Sequence, residues 1–286
     1  HLETNDRDAY LQALLGMRKQ AFAAGLWLPH MPTEWGGMGL GHVELAMVQA
    51  EAARSYYGPW VLNCQAPDEG NMHTLLHWAT EEQKAKYLPG ILAGEDYWTQ
   101  GYSEPGAGSD LAALSCSAVA DGDDYIINGQ KIWTTLAHKA NRMFMLVRTS
   151  SEGKKQQGIT FLLLERTDYP GMEIRPIIGL DGIPEQCEVF FDNVRVSQSA
   201  RVGAENDGWS VAKALLKHER GGSAGSPAMY RKLQAIRAAA ADAPSPHGGT
   251  LLDDPVFQRD LGELEAEIAS HAAFEKLVIS RHPMTA

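Results

Sequence analysis

The sequence predicts an α+β protein in which α-helical domains precede and follow a middle domain of antiparallel strands, folded as a barrel or sandwich. Three observations carry this prediction. Apolar residues recur at helical spacing up to about residue 96, short β-rich runs follow to about residue 206, and helical spacing returns from Trp209. The expected domains are residues 1–96, 97–206 and 207–286, the last being the first part of a truncated helical bundle.

Composition and charge exclude several classes of protein. The 286 residues are 44% hydrophobic and 21% charged, as in ordinary globular proteins, and no apolar run approaches the ~20 residues that span a bilayer. A net charge of -11 argues against a nucleic-acid partner. The odd number and wide spacing of Cys64, Cys116 and Cys187 argue against a disulfide framework and favour a reducing compartment, the cytoplasm.

Local signals define the N-terminal helices. A helix is predicted from apolar residues at helical spacing, namely Val43, Ala46, Met47, Ala50 and Ala53. Thr80 and Gln83 have the spacing of a capping box, and Pro89-Gly90 is predicted to end the helix that this box begins. A loop between helices is predicted from Pro29, Pro32, Gly36, Gly37, Gly39 and Gly41.

The middle and C-terminal regions show different periodicities. Asn128-Gly129 lies between two apolar runs, 125–127 and 130–133, and predicts a hairpin turn. Further strands are predicted over residues 143–148, 159–164, 173–177 and 188–191. Near the C-terminus, one apolar helix face is predicted from Phe257, Leu261, Leu264 and Ile268, after a loop over residues 241–254. The last helices cannot bury themselves as a lone hairpin, so we expect further chain or a partner to cover them.

The segment 100–110 carries the most chemical information. Its glycines allow backbone N–H groups to approach a ligand closely, and Ser103 and Ser109 add hydroxyls that can donate to that ligand. It contains neither a dinucleotide-binding GxGxxG nor a Walker Gly-Lys-Ser/Thr. Taken alone, it is better interpreted as an ordinary turn between strands.

Other residues that could carry chemistry are better explained by structural roles. His73 and His77 are four residues apart, but a zinc-protease glutamate and a third ligand are missing, so we expect surface or half-buried histidines and no metal. Glu104 is predicted to accept hydrogen bonds from backbone N–H groups rather than to act as an acid. No Ser-His-Asp or Cys-His arrangement can be argued from the sequence.

Several motifs in fixed order resemble the acyl-CoA dehydrogenase family. The resemblance rests on residues 32–37, 100–110, 128–135, 190–196 and 202–203, and continues more loosely through residues 251–255. It implies the fold described above, with a C-terminal four-helix bundle, and an FAD held against the middle domain. Gln100 departs from the family pattern, because many relatives carry an aromatic residue at its position.

The resemblance also implies roles for residues around the cofactor. Tyr102 and Ser103 would contact the isoalloxazine ring, with Gln100 beside them, and Trp133 and Thr135 would flank the ring. Ser109 would meet the flavin edge or the pantetheine arm of the CoA substrate.

The reaction implied by the resemblance is the α,β-dehydrogenation of an acyl-CoA to the 2-enoyl-CoA. A carboxylate removes the α-proton while the β-hydride passes to flavin N5. Family members place this carboxylate at one of two positions. Glu219 occupies the first, beside Arg220, which would contact the substrate or orient Glu219. The second lies beyond Ala286, and the choice stays open.

The resemblance further implies partners for the protein, and it leaves several alternative functions open. An electron-transfer flavoprotein would be the electron acceptor, and the assembly would be a homo- or heterotetramer or a dimer, in a bacterial cytoplasm. The motifs look most like pimeloyl-CoA or steroid-side-chain enzymes, which indicates a bulky or dicarboxylic acyl group. An acyl-CoA oxidase, a flavin monooxygenase and a non-catalytic subunit of a heteromeric dehydrogenase are the alternatives.

Overall fold

The computed structural model describes residues 7–222 and 225–281, apart from the side chains of residues 7, 8, 11 and 217–222. The chain divides into two compact units. The first comprises His1–Gln20 and Gln65–Glu219, and the second comprises Ala21–Cys64 and Arg220–Ala286. These units are defined by compactness, whereas the boundaries expected near residues 96 and 206 come from changes in sequence pattern. Those boundaries stay a prediction.

Helices precede and follow the strand-rich region along the chain, as predicted. Within the described ranges they are α1 (Arg7–Ala23), α2 (His42–Ala52), α3 (Gly58–Val61), α4 (Asp68–Trp78), α5 (Glu81–Ala93), α6 (Gly208–Gly222), α7 (Ser226–Asp242) and α8 (Pro255–Arg281). None of these helices combines the length and the apolar character that a bilayer span requires.

Helix α5 confirms one sequence signal and contradicts another. Its capping box is present, because the Gln83 N–H donates to Thr80 Oγ1 over 3.2 Å and the Thr80 N–H donates to Gln83 Oε1 over 3.1 Å. The predicted end at Pro89-Gly90 is wrong, since the helix continues to Ala93 and ends at Gly94, whose φ is +72°. Burial of Leu88 and Ile91 holds the last turn against the core despite the hydrogen bond that Pro89 cannot make.

The strands form one sheet in the first unit. They are β1 (Trp98–Gly101), β2 (Ser117–Asp121), β3 (Asp124–Lys131), β4 (Arg142–Arg148), β5 (Ile159–Leu164), β6 (Met172–Ile177), β7 (Gln186–Ser197) and β8 (Arg201–Val202). The order is β6-β7-β3-β2-β4-β5-β8, with β1 beside β4. Antiparallel pairing predominates, as predicted, while β1 and β2 each pair with β4 in parallel. The four strands predicted from residues 143 onward are confirmed, with longer ends in three of them.

The predicted hairpin at Asn128-Gly129 is wrong. Both residues lie inside β3, which pairs with β7 and changes register between Ile127 and Gly129. The Asn193 N–H donates to Asn128 Oδ1 over 2.8 Å, and a Cβ on Gly129 would lie 2.8 Å from the Cys116 Cα. The Asn-Gly pair therefore lies opposite a β-bulge, in which Asp192 and Asn193 of β7 face Asn128 alone, and the close approach to Cys116 favours glycine at position 129.

The second unit contains a smaller helical core. Leu233 of α7 packs with Leu261 and Ile268 of α8, and Phe257 lies against them, so this face of the predicted helix is confirmed except at Leu264, which is exposed. The predicted helix α2 is also present. Its buried residues are Leu45 and Gln49, whereas Val43 and Met47 of the predicted apolar stripe are exposed.

Candidate active site

Two segments that the sequence analysis connected with a flavin lie side by side in the first unit. We call residues 103–110 the serine loop and residues 133–135 the tryptophan segment. The Ile132 N–H donates to the Ser103 carbonyl over 2.9 Å. On the other side of Trp133, the Thr99 hydroxyl donates to the Thr135 carbonyl over 2.8 Å. These two hydrogen bonds join the tryptophan segment to β1 and to the start of the serine loop.

The serine loop folds back on itself around Glu104. The N–H groups of Glu104 and Ala107 donate to each other's carbonyls over 3.1 and 3.0 Å. The Glu104 carboxylate accepts from the Ser115 N–H over 2.7 Å and from the Cys116 N–H over 2.9 Å. The prediction that Glu104 accepts backbone N–H groups is confirmed. One carboxylate therefore connects the loop to the residues that immediately precede β2.

A buried lysine completes this connection. Lys131 Nζ donates to Glu104 Oε1 over 2.8 Å and to the Tyr102 carbonyl over 3.1 Å. The side chains of Lys131 and Glu104 are 0% and 5% exposed. Burial opposes ionisation of Glu104, but Lys131 and the Ser115 and Cys116 N–H groups outweigh it and lower the pKa of the carboxyl. The serine loop is thus held in one conformation by the chain itself.

Trp133 adopts an unusual backbone conformation. Its φ is +59°, in the left-handed region that bulky residues rarely occupy, at a typical cost of ~1–3 kcal/mol. Hydrogen bonds on either side maintain this conformation, with the Thr134 N–H donating to the Cys187 carbonyl over 3.0 Å and the Leu136 N–H to the Glu185 carbonyl over 2.7 Å. The residue remains 60% exposed. The chain therefore maintains a strained conformation that presents an indole ring outward.

The glycines of the serine loop leave its outer surface open. A Cβ built on Gly106 or Gly108 would meet no heavy atom within 4 Å, and neither residue has a left-handed φ. Pro105, Gly106, Gly108 and Ser109 are exposed, while Ser103 is half-buried. Nothing in the described fold requires glycine at these two positions, and the open surface leaves room for a ligand to approach the backbone closely.

Of the other predicted cofactor residues, Gln100 lies on β1, Tyr102 directly follows that strand, and Thr135 lies in the tryptophan segment. Tyr102 is buried and packs edge-on against Phe161, with ring centroids 6.1 Å apart. Gln100 is half-buried, and its Nε2 donates to Asn71 Oδ1 over 3.1 Å. Thr135 Oγ1 donates to Gln186 Oε1 over 3.3 Å. The structure thus brings Gln100, Tyr102, Ser103, Trp133 and Thr135 into adjoining segments, with Ser109 further along the serine loop.

Glu219 and Arg220 belong to the backbone of α6. Their side chains lie outside the described residues, and their proposed roles stay predictions.

Among the described residues is a Cys–His contact that the sequence did not predict. His138 Nδ1 lies 3.2 Å from Cys187 Sγ. Burial raises the pKa of the Cys187 thiol and lowers the pKa of His138, so both groups are held neutral and the thiol is a poor nucleophile. The two residues are 49 positions apart, and no spacing signal in the sequence connects them. The other histidines considered, His73 and His77, stack with ring centroids 6.3 Å apart.

Comparison with known proteins identifies the family. Residues 1–95 match the acyl-CoA dehydrogenase N-terminal domain, and residues 99–194 match the acyl-CoA dehydrogenase middle domain. The chain belongs to the acyl-CoA dehydrogenase family. A curated relative, acyl-CoA dehydrogenase IpdE1 of Mycobacterium tuberculosis, is 42% identical over 236 residues, which cover 78% of this chain and 59% of IpdE1.

Solved structures of the acyl-CoA dehydrogenase family share the fold. A chain of the ChsE4-ChsE5 complex from Mycobacterium tuberculosis superposes with a TM-score of 0.82 at 32% identity, covering 98% of this chain and 73% of that one. The Tcur3481-Tcur3483 steroid ACAD superposes with a TM-score of 0.80 at 32% identity, covering 95% and 69%. The helical and strand-rich domains predicted from the sequence are therefore those of an acyl-CoA dehydrogenase.

Proposed function

We propose that the protein to which this chain belongs catalyses the α,β-dehydrogenation of an acyl-CoA thioester with FAD as its cofactor. The observation that carries the proposal is the hydrogen bond between the Ile132 N–H and the Ser103 carbonyl, which joins the serine loop to the tryptophan segment. When bound, FAD supplies N5 as the hydride acceptor. The chain spans 59% of the length of the relative IpdE1, so the activity is proposed for the whole protein.

The residues on this surface fit an isoalloxazine ring. The exposed Trp133 indole offers a flat aromatic face against which a flavin ring can pack. The open surface at Gly106 and Gly108 allows backbone N–H groups to come close to polar ligand atoms. We assign the ring contacts to Gln100, Tyr102, Ser103, Trp133 and Thr135, and we place Ser109 at the flavin edge or the pantetheine arm.

Preorganisation of the loop supports this assignment. The buried Lys131–Glu104 pair and the hydrogen bonds to Ser115 and Cys116 hold the serine loop before any ligand arrives. A ligand that binds there therefore spends little of its binding free energy on ordering the loop. The same rigidity would keep the loop's donor groups at fixed positions around the polar atoms of the flavin.

The catalytic base has two candidate positions. We propose Glu219 of α6 as the first, with Arg220 binding the substrate or orienting the carboxylate. A carboxylate enclosed by flavin and thioester would have a raised pKa, which suits the abstraction of a weakly acidic α-proton. A carboxylate of the protein beyond Ala286 is the alternative.

The substrate and partners are inferred from the relatives. One structural relative is described as a steroid ACAD, and another is a complex of two different subunits. We infer a bulky, steroid-type or dicarboxylic acyl group, an oligomer of identical or different subunits, and an electron-transfer flavoprotein as the electron acceptor.

Absorbance spectroscopy of the full-length protein tests this function. The purified protein should show the visible absorbance bands of bound FAD, and anaerobic addition of a steroid-side-chain acyl-CoA should bleach them. A short straight-chain acyl-CoA is the matched comparison and should bleach them more slowly. Oxygen consumption in step with turnover would indicate an oxidase instead, and a protein that retains no flavin would contradict the proposal.

A further inference from the structure

A buried carboxylate, Asp68, is connected through Asn71 to Gln100, one of the residues proposed to contact the cofactor. Asp68, the first residue of α4, is 3% exposed. Its Oδ1 accepts from the Trp98 N–H of β1 over 3.2 Å and from Asn71 Nδ2 over 3.4 Å. Its Oδ2 has no hydrogen-bond partner among the described residues. A buried acid of this kind costs folding free energy, and no step of the proposed reaction has used it.

Asn71 extends the contact from Asp68 to Gln100. Asn71 is fully buried, and its Oδ1 accepts from Gln100 Nε2 over 3.1 Å. The three side chains therefore form a continuous relay, Asp68–Asn71–Gln100, from the start of α4 to β1. Gln100 is the one member of this relay that the sequence analysis connected with the cofactor.

The chemistry of Asp68 sets the direction of the relay. An ionised carboxylate only accepts hydrogen bonds, so Asn71 must turn its Nδ2 toward Asp68. The Asn71 oxygen then faces Gln100, and only the Nε2 end of the Gln100 amide can pair with it. The Gln100 carbonyl oxygen consequently lies at the opposite end of the amide from Asn71. Reversing any one of the three groups would reverse the others.

We propose that Asp68 is a positioning residue that, through Asn71, selects which end of the Gln100 amide is presented to the flavin. The proposal rests on the function proposed above. An acceptor at this position suits a ring N–H, whereas a donor suits a ring carbonyl or nitrogen, so the direction of the relay tunes the electronic properties of the ring.

The charges around Asp68 make the relay sensitive to protonation. Burial raises the pKa of the Asp68 carboxyl to about 7, and the nearby Asp96 adds to this effect, while Arg18 and the two hydrogen bonds to Oδ1 oppose it. Tyr97, a further titratable neighbour, has a pKa raised well above its usual value by burial and stays neutral. When the proton is on Oδ1, the oxygen that faces Asn71, the Asp68 hydroxyl can donate to Asn71 and reverse the relay.

A compensating pair of substitutions tests the relay without flavin. In Gln100→Glu, a carboxylate faces the Asn71 oxygen, so two acceptors meet without a donor. If the Asn71 amide rotates to donate to the new carboxylate, its oxygen instead faces the Asp68 carboxylate, and the repulsion is moved rather than relieved. We expect the melting temperature of the full-length protein to fall by roughly 5 °C. Asp68→Asn keeps the acceptor for Trp98 and adds a donor for Asn71, so the double variant should recover most of that loss. Protonation should act in the same way, and the loss in Gln100→Glu should shrink below about pH 6.

Gln130→Glu is the matched control. Gln130 is another half-buried glutamine on a strand, and its Nε2 donates to Glu188 Oε1 over 2.9 Å. This substitution also brings two carboxylates together and should lower the melting temperature, but Asp68→Asn should restore none of the loss. If Asp68→Asn rescues neither variant, or both equally, the relay is overturned.

The flavin spectrum tests the effect on the cofactor in the same samples. The visible band of the wild-type holoprotein should shift as pH crosses about 7, and this shift should be absent in Asp68→Asn. Rescue of Gln100→Glu without any effect of Asp68→Asn on the spectrum would overturn the positioning role while leaving the proposed function intact. Wild-type protein that binds no FAD would refute the proposed function and the positioning role together, whatever the melting temperatures show.

Discussion

Lys131 and Glu104 form a buried ion pair, with 2.8 Å between Nζ and Oε1, where β3 meets the serine loop. A second donation from Lys131 Nζ, to the Tyr102 carbonyl over 3.1 Å, fixes the backbone immediately before Ser103. The pair therefore connects the two segments proposed to enclose the flavin. Removing one partner of a buried pair leaves an uncompensated charge, at a cost of ~3–5 kcal/mol.

Lys131→Met should accordingly lower the free energy of unfolding by roughly 3 kcal/mol or more and weaken FAD binding. Lys155→Met is the matched control, because Lys155 pairs with Asp110 of the same loop at an exposed site. Its effect should stay within ~1 kcal/mol. Urea unfolding and FAD titration measure both effects. Equal stabilities for the two variants would show that the buried pair does not hold the loop.

The glycines of the serine loop and Gly129 of β3 should respond differently to alanine. Gly106→Ala and Gly108→Ala meet no neighbouring atom and need no left-handed backbone, so stability should change by less than about 0.5 kcal/mol. FAD affinity should nevertheless fall about tenfold, because the added methyl groups occupy the ligand's side of the loop.

Gly129→Ala is the comparison for these variants. Its Cβ would lie 2.8 Å from the Cys116 Cα at a φ of +145°, so it should lose well over 1 kcal/mol of stability. Unchanged FAD affinity in the Gly106 and Gly108 variants would place the ligand away from this loop.

Asp68 should make stability depend on pH. Its pKa is about 7 in the folded protein and near 3.8 in the unfolded chain, so the folded state binds more protons between these values. The stabilising contribution is therefore complete below the unfolded pKa and is lost as pH rises through about 7. From pH 5 to pH 8, the unfolding free energy of the wild type relative to Asp68→Asn should fall by on the order of 2 kcal/mol. A difference that is constant or rises with pH would contradict this assignment.

Glu219→Gln tests the base in the full-length protein. If Glu219 abstracts the α-proton, anaerobic bleaching of the flavin by acyl-CoA should slow by roughly 10²–10⁴-fold, while the oxidised flavin spectrum stays unchanged. Glu152→Gln, at an exposed loop position, should bleach at the wild-type rate. Normal bleaching in Glu219→Gln would assign the base to a carboxylate beyond Ala286.

Local signals predicted much of the fold and part of the site. The capping box at Thr80 and the apolar strand Ile159–Leu164 depend on neighbours in sequence, and both are confirmed. The role of Glu104 as an acceptor of backbone N–H groups was also predicted, although the groups that it accepts belong to Ser115 and Cys116, beyond the loop itself. The prediction for Asn128-Gly129 was wrong because the same two residues suit a turn and a strand position opposite a bulge, and pairing with the distant strand β7 decides between them.

Features that depend on distant partners could not be read from spacing. The Lys131–Glu104 pair joins residues 27 positions apart, and Asn71 and Gln100 are 29 apart. Each contact exists because the sheet brings β1 and β3 to the same region, and α4 begins beside β1. The left-handed backbone of Trp133 likewise follows from the pairing of its neighbours with residues 185–187.

Flavin fluorescence tests the central claim most directly, because an indole stacked on an isoalloxazine ring quenches its emission. We predict that protein-bound FAD is strongly quenched in the wild type and that Trp133→Phe raises its emission several-fold. Trp78→Phe, at another partly exposed tryptophan of the same unit, should leave it unchanged. Equal emission from bound FAD in the wild type and in Trp133→Phe would contradict a flavin site between the serine loop and the tryptophan segment.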